Sequence, residues 1–167
     1  MTLDNLKKEA KRWLKELRAN NGDARIRLER AYPKAPTNPG LRDIQHALAL
    51  ERGFSGWIAL KQAAQYESLA SDMVTAYATG DAAAMQRIDR HYGRSSTVED
   101  LRATIWRQVY KVRRANGAAE AFGIAEAQEL IAQNAGFGNW EALLKGGPAF
   151  RATRSMSRKT RSGRGGR

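Results

Sequence analysis

Apolar positions recur every three or four residues along most of the chain and nowhere alternate in pairs, a pattern that predicts helices and no strands. Leu3, Leu6, Ala10, Trp13, Leu14 and Leu17 mark one face of a first helix reaching Ala19. Asn20-Asn21-Gly22 ends it, and Asp23 is placed to cap a second helix that runs to Tyr32. The proline-rich stretch from Pro33 to Gly40 is a linker no helix crosses. Leu41, Ile44, Ala47 and Leu48 mark a third helix that stops at Gly53. A fourth opens at Trp57 and runs through Gln62, with a join to the next helix, around Leu69 to Ala78, left open. Gly80-Asp81 stops and restarts the chain into a helix over Ala82 to His91. Ser96 with Glu99 has the spacing of a capping box, opening a helix to about Asn116 whose core face is Leu101, Ile105, Val109 and Val112. Helices from Ala125 to Ala135 and from Trp140 to Lys145 complete the periodic part.

The pattern also repeats. Leu41–Leu60 aligns with Ile124–Leu143 without a gap, and seven of the 20 positions are identical. They include Gly53, Phe54, Trp57 and Leu60, which recur as Gly136, Phe137, Trp140 and Leu143. Upstream, Gly22-Asp23 with Arg30 and Tyr32 echoes Gly80-Asp81 with Arg90 and Tyr92. The expectation is an all-α fold of two diverged helical units packed together, the first over residues 1–66 and the second over 67–145. The second holds an inserted helix, about 97–115, where the first has its proline linker. In each Gly-Phe-x-x-Trp turn, Gly supplies the left-handed conformation at a helix end and Phe folds back on that helix. Trp and the Leu three residues on are then core positions of the next helix. Asn139 is the expected cap in the second copy and Gly56 the weaker one in the first.

The segment from Ile44 to Leu60, with its second copy, resembles the helical segment that opens many bacterial ankyrin-repeat-type proteins. It is also similar to short helical segments attached to glyoxalase-related proteins. His91-Tyr92-Gly93-Arg94-Ser95 and Leu101 to Trp106 resemble the same ankyrin-associated group. The resemblance spans most of residues 1–145 and implies a helical interaction module; it brings no activity with it.

Charge changes the picture more than overall composition does. The formal net charge is +12, from 29 Lys and Arg against 17 Asp and Glu. Eight of those cations and none of the anions lie from Lys145 onward, which leaves 21 against 17, a net of +4, for the rest. In the segment 146–167, Arg151, Arg154, Arg158, Lys159, Arg161, Arg164 and Arg167 alternate with Ser, Thr and Gly. Such a tail buries too little to offset its ordering entropy and is expected to be disordered. The absence of cysteine removes disulfides and thiolate metal sites and fits a reducing compartment. No apolar run approaches the roughly 20 residues of a spanning helix, and the first residues lack a signal-peptide pattern. A cytoplasmic protein with no membrane insertion is the expectation.

The residues that carry chemistry are few. His46 and His91 stand far apart, each without a ligand-type residue four positions on, and neither a phosphate-cradling glycine loop nor a nucleophile elbow is present. No enzymatic activity, cofactor or metal is expected. The two helix-turn-helix arrangements do not read as DNA-reading elements, because Trp57-Ile58-Ala59 and Trp140-Glu141-Ala142 offer buried or acidic side chains where base contacts are needed. The inserted helix is the better surface. Arg107, Lys111 and Arg114 form a stripe flanked by Arg102 and Arg113, with Trp106 and Tyr110 nearby. Cations at that spacing contact successive phosphates, and an exposed aromatic stacks on an unpaired base; the competing reading is a solvated face with Trp106 in the core. The favoured function is therefore sequence-tolerant nucleic-acid binding, DNA or RNA, through the tail and the inserted helix. The alternative is a protein partner held in a groove between the two units.

Overall fold

The computed structural model describes residues 2–110 and 122–145, and the described residues are helical without strands. They form α1 (Leu3–Arg18), α2 (Gly22–Ala31), α3 (Leu41–Glu51), α4 (Trp57–Thr79), α5 (Ala82–Tyr92), α6 (Val98–Ile105), α7 (Ile124–Asn134) and α8 (Trp140–Lys145). A π-helical turn, Trp106–Tyr110, extends α6. None of these helices is long and apolar enough to cross a membrane.

The open question of the fourth helix resolves as one continuous element of 23 residues, α4. Nothing between Gln62 and Leu69 breaks a helix, and both ends of that stretch have a core to face. Two clusters of buried side chains share it. The first gathers Leu6, Trp13, Leu28, Ile44, Leu48 and Leu60 and ends on α4 at Ala64. The second begins on α4 at Leu69 and takes in Met73, Ile88, Leu101, Ile105, Ile131 and Leu143. Val109, half-buried, packs against this second cluster, while Val112 lies outside the described residues.

Two caps fall one or two residues from where the sequence pattern puts them. Asn21, not Asp23, caps α2, its Oδ1 accepting the Ala24 N–H at 3.0 Å. The box at α6 is Thr97 with Asp100, not Ser96 with Glu99: the Thr97 hydroxyl accepts from Asp100 N–H at 3.1 Å, and the Asp100 carboxylate accepts from Thr97 N–H at 3.0 Å. Ser96 is occupied elsewhere, its N–H donating to the Asp89 carboxylate at 3.2 Å.

The two Gly-Phe turns have one geometry. Gly53 and Gly136 take left-handed φ values of 78° and 84°. Phe54 N–H returns to Ala49 O at 2.9 Å, and Phe137 N–H to Ala132 O at 2.9 Å. Both pairs close a left-handed helix end of the Schellman type, with the Phe ring half-buried against the helix it has just left. Leu60 and Leu143 are buried, while Trp57 and Trp140 are half-buried. Asn139 caps α8 through Ala142 N–H at 2.8 Å; Gly56 gives α4 no side-chain cap.

Candidate nucleic-acid interface

The basic surface is built where α6 runs into its π turn. Leu101 and Ile105 face the core, so Arg102 and Trp106, one residue further round the helix, point outward. Trp106 is 50% exposed and does not belong to the core. Arg102 and Arg107 are exposed as well.

The two arginines are aimed by the backbone. Arg102 donates from Nε and Nη2 to Tyr77 O, at 3.1 and 3.0 Å, so its fork closes a carbonyl in the last turn of α4. Arg107 Nε donates to Ala103 O at 3.2 Å, four residues back. Each guanidinium is thereby held while part of its five-donor fork remains in water. Tyr110, by contrast, leans inward beside Phe122, and burial, then the neighbouring Tyr77 phenol, pushes its own phenol up. A π turn widens the helix and displaces side chains from regular spacing, a device common at functional sites. Here it separates outward Trp106 and Arg107 from inward Val109 and Tyr110.

Lys111, Arg113 and Arg114 lie outside the described residues, as do the tail cations Arg151, Arg154, Arg158, Lys159, Arg161, Arg164 and Arg167. Of the predicted basic stripe, Arg102 and Arg107 are therefore the described members, exposed on the same helical segment as Trp106.

The helix-turn-helix segments present different side chains from those expected. Ile58 is 69% exposed, because Trp57 and Leu60 take the core-facing side of the first turn of α4 and leave Ile58 on the other. An exposed isoleucine offers no hydrogen bond to a base edge.

A groove lies where the first Gly-Phe turn approaches α8. It measures about 420 Å³ and is lined by Arg52, Phe54, Ser55, Ala59, Leu144 and Lys145, with Gly53 and Glu141 completing the wall. Arg52 donates to Glu9 at 2.6 Å and Lys145 pairs with Glu141, so the rim charges are largely met.

The histidines stay apart. His46 stands edge-on to Tyr32, with ring centroids 5.0 Å apart. His91 meets Tyr66 at 5.8 Å and Tyr92 at 4.9 Å, and its partial burial lowers its pKa. No group of three or more His, Asp or Glu among the described residues is placed to hold a metal ion.

One charged cluster was invisible in the sequence. Arg27 on α2 grips Glu51 with two bonds, 2.8 and 2.6 Å, reaches Glu9 at 2.8 Å, and lies 4.0 Å from the centre of the Trp13 ring. Trp13 Nε1 donates to Ala24 O at 3.0 Å beneath it. These residues come from three helices, and no spacing rule links them. Comparison with protein-family models, curated proteins and solved structures returned no match to this chain.

Proposed function

We propose that the protein is a non-enzymatic, sequence-tolerant nucleic-acid-binding protein that uses its basic tail and the α6 face. The observation that carries the reading is a half-exposed indole, Trp106, on the same helical segment as two exposed arginines, Arg102 and Arg107, each anchored to a backbone carbonyl. That combination suits single strands: the ring offers a stacking platform of about 1–3 kcal/mol per base, and the cations track the backbone. The +12 charge, concentrated in the tail, supplies the counterion-release part of the affinity.

The test is binding of the full chain to single- and double-stranded DNA and RNA across a salt series. Tight binding that weakens steeply with salt is expected. It should fall about tenfold or more in Trp106→Ala, and the salt slope should flatten when the seven tail cations become Ser. No binding near 0.15 M salt would overturn the reading.

The groove beside the first Gly-Phe turn favours a second reading, a protein-interaction module, in keeping with the resemblance to ankyrin-associated segments. Its floor of Phe54, Ala59 and Leu144 is apolar and its rim charges are paired. Binding there would be nearly indifferent to salt and would be lost in Ala59→Asp, with the Trp106→Ala variant unaffected.

A further inference from the structure

A second concavity, of about 340 Å³, opens where α1 turns into α2 and the proline linker folds back over them. Leu14, Leu17 and Pro39, all buried, contribute to its lining, which is more polar than apolar. Arg18 and Arg25 line it with Asn20, Thr37 and Asn38, and no carboxylate-bearing residue does. Among the described residues no ion pair is formed by Arg18 or Arg25. Arg25 is instead fixed from the linker side, its Nη2 donating to Thr37 O at 3.2 Å.

Two features set this cleft apart from a merely basic surface. The first is the turn itself. Among the described residues, the four glycines with positive φ sit at left-handed helix ends or turns, whereas this turn uses Asn20, with φ 57°. Asn tolerates that conformation but holds it less readily than Gly, and here Asn20 is one of the residues that line the cleft. The second is the pairing of cations from two helices. Arg18 at the negative end of α1 is explained by the helix dipole, worth a few tenths of a kcal/mol. Nothing in that account places Arg25 beside it.

We propose that this cleft binds a phosphate group carried on an organic body, the guanidiniums of Arg18 and Arg25 taking the phosphate. Guanidinium forks only donate and match phosphate oxygens in geometry and charge, and the volume lies within the roughly 300–1,000 Å³ of small-molecule sites. The nucleic-acid reading does not enter the proposal; either stands if the other fails.

The experiment follows the side-chain N–H signals of Arg18, Arg25, Asn20 and Asn38 by NMR in the full chain. The probes are inorganic phosphate, titrated against chloride at equal ionic strength, and a short oligo-dT strand. Saturable shifts of these four side chains with phosphate are expected, with affinity reduced at least fivefold in Arg18→Ala and an unchanged melting temperature. Non-saturating shifts, or equal shifts at Arg12 and Arg42, would overturn the proposal. If oligo-dT moves the same signals and Arg18→Ala lowers its salt slope by about 0.7, the phosphate belongs to a nucleic-acid backbone. If phosphate alone moves them, it belongs to a phosphorylated small molecule. Oligo-dT binding that depends on Trp106, with the cleft signals silent to both probes, would overturn this inference and leave the α6 reading intact.

Discussion

Arg27 sits at the point where α1, α2 and α3 meet, touching Glu9, Glu51 and the face of Trp13 at once. Its side chain is 32% exposed, between the worth of a surface ion pair and that of a buried one. Replacing it with Met keeps the stem that covers Trp13 but strips Glu51 of both its bonds to the guanidinium and leaves Glu9 to Arg52 alone. Arg27→Met should cost about 2 kcal/mol in urea denaturation. The same contact holds the Glu51 carboxyl below its usual value of 4.5. A depressed carboxyl contributes stability that is present above the unfolded value and lost as pH falls through the folded one. The acid limb of stability below about pH 4.5 should therefore be shallower in Arg27→Met than in the parent. His91 has the opposite chemistry with the same sign on the pH axis. Partial burial lowers its pKa from 6.5, so the neutral imidazole is favoured by the fold. Stability from this group is complete above 6.5 and declines as pH falls through the folded value. An NMR titration should place its midpoint under 6.5, and Tyr66→Ala, which removes one wall, should move it back up.

Helix ends are where sequence and structure are most directly comparable. The left-handed glycines were legible because a Gly at the end of an apolar period has one common use. Gly136→Ala should cost about 1 kcal/mol, a melting shift of about 3 °C, since φ of 84° is strained for any Cβ although no atom lies within 4 Å. Gly138→Ala, two residues on, also meets nothing within 4 Å, but its φ lies outside that region, and its melt should stay within about 1 °C of the parent. Within the described residues the helices, the breaks and the Gly-Phe turns could be read because each rests on neighbours in the chain; the expected end of the inserted helix near Asn116 lies outside them. The caps of α2 and α6 were misplaced because several Asx, Ser and Thr residues stand side by side there and each is competent. The Arg27 cluster was hidden for the opposite reason, since its members are brought together only by tertiary packing. At the candidate interface, Arg102, Trp106 and Arg107 could be named from the sequence, but the direction of the indole stayed open, because a large aromatic next to Ile105 is competent for the core as well as for solvent. The Arg18–Arg25 cleft needed the linker to fold back, and proline-rich spacing says nothing about where a linker lies.

Across the whole molecule, α4 is the element both cores require. Its first half closes the Trp13–Ile44–Leu48 cluster and its second half opens the Met73–Ile88–Ile131 cluster, with the seam falling between Ala64 and Leu69. Asp72, 9% exposed, is gripped by Arg87 with bonds of 2.9 and 2.7 Å, fastening α5 to the second half alone. Continuity of the helix backbone is thus the main mechanical link between two apolar clusters, each with its own set of partner helices. Gln65 is exposed and lies in the seam, so a change there removes no core contact. Gln65→Pro deletes one helical hydrogen bond and clashes with the preceding turn, costing about 3 kcal/mol locally. If α4 is the coupling element, the parent chain unfolds in one transition and Gln65→Pro in two, with separate sets of slowly exchanging amides for the two clusters. Calorimetry with hydrogen exchange reads both. A single transition in Gln65→Pro, merely shifted to lower temperature, would mean that the packing of α8 on α4 beside the first Gly-Phe turn couples the clusters without a continuous helix. In that case Leu144→Asp, placed in that groove, becomes the substitution that splits the transition.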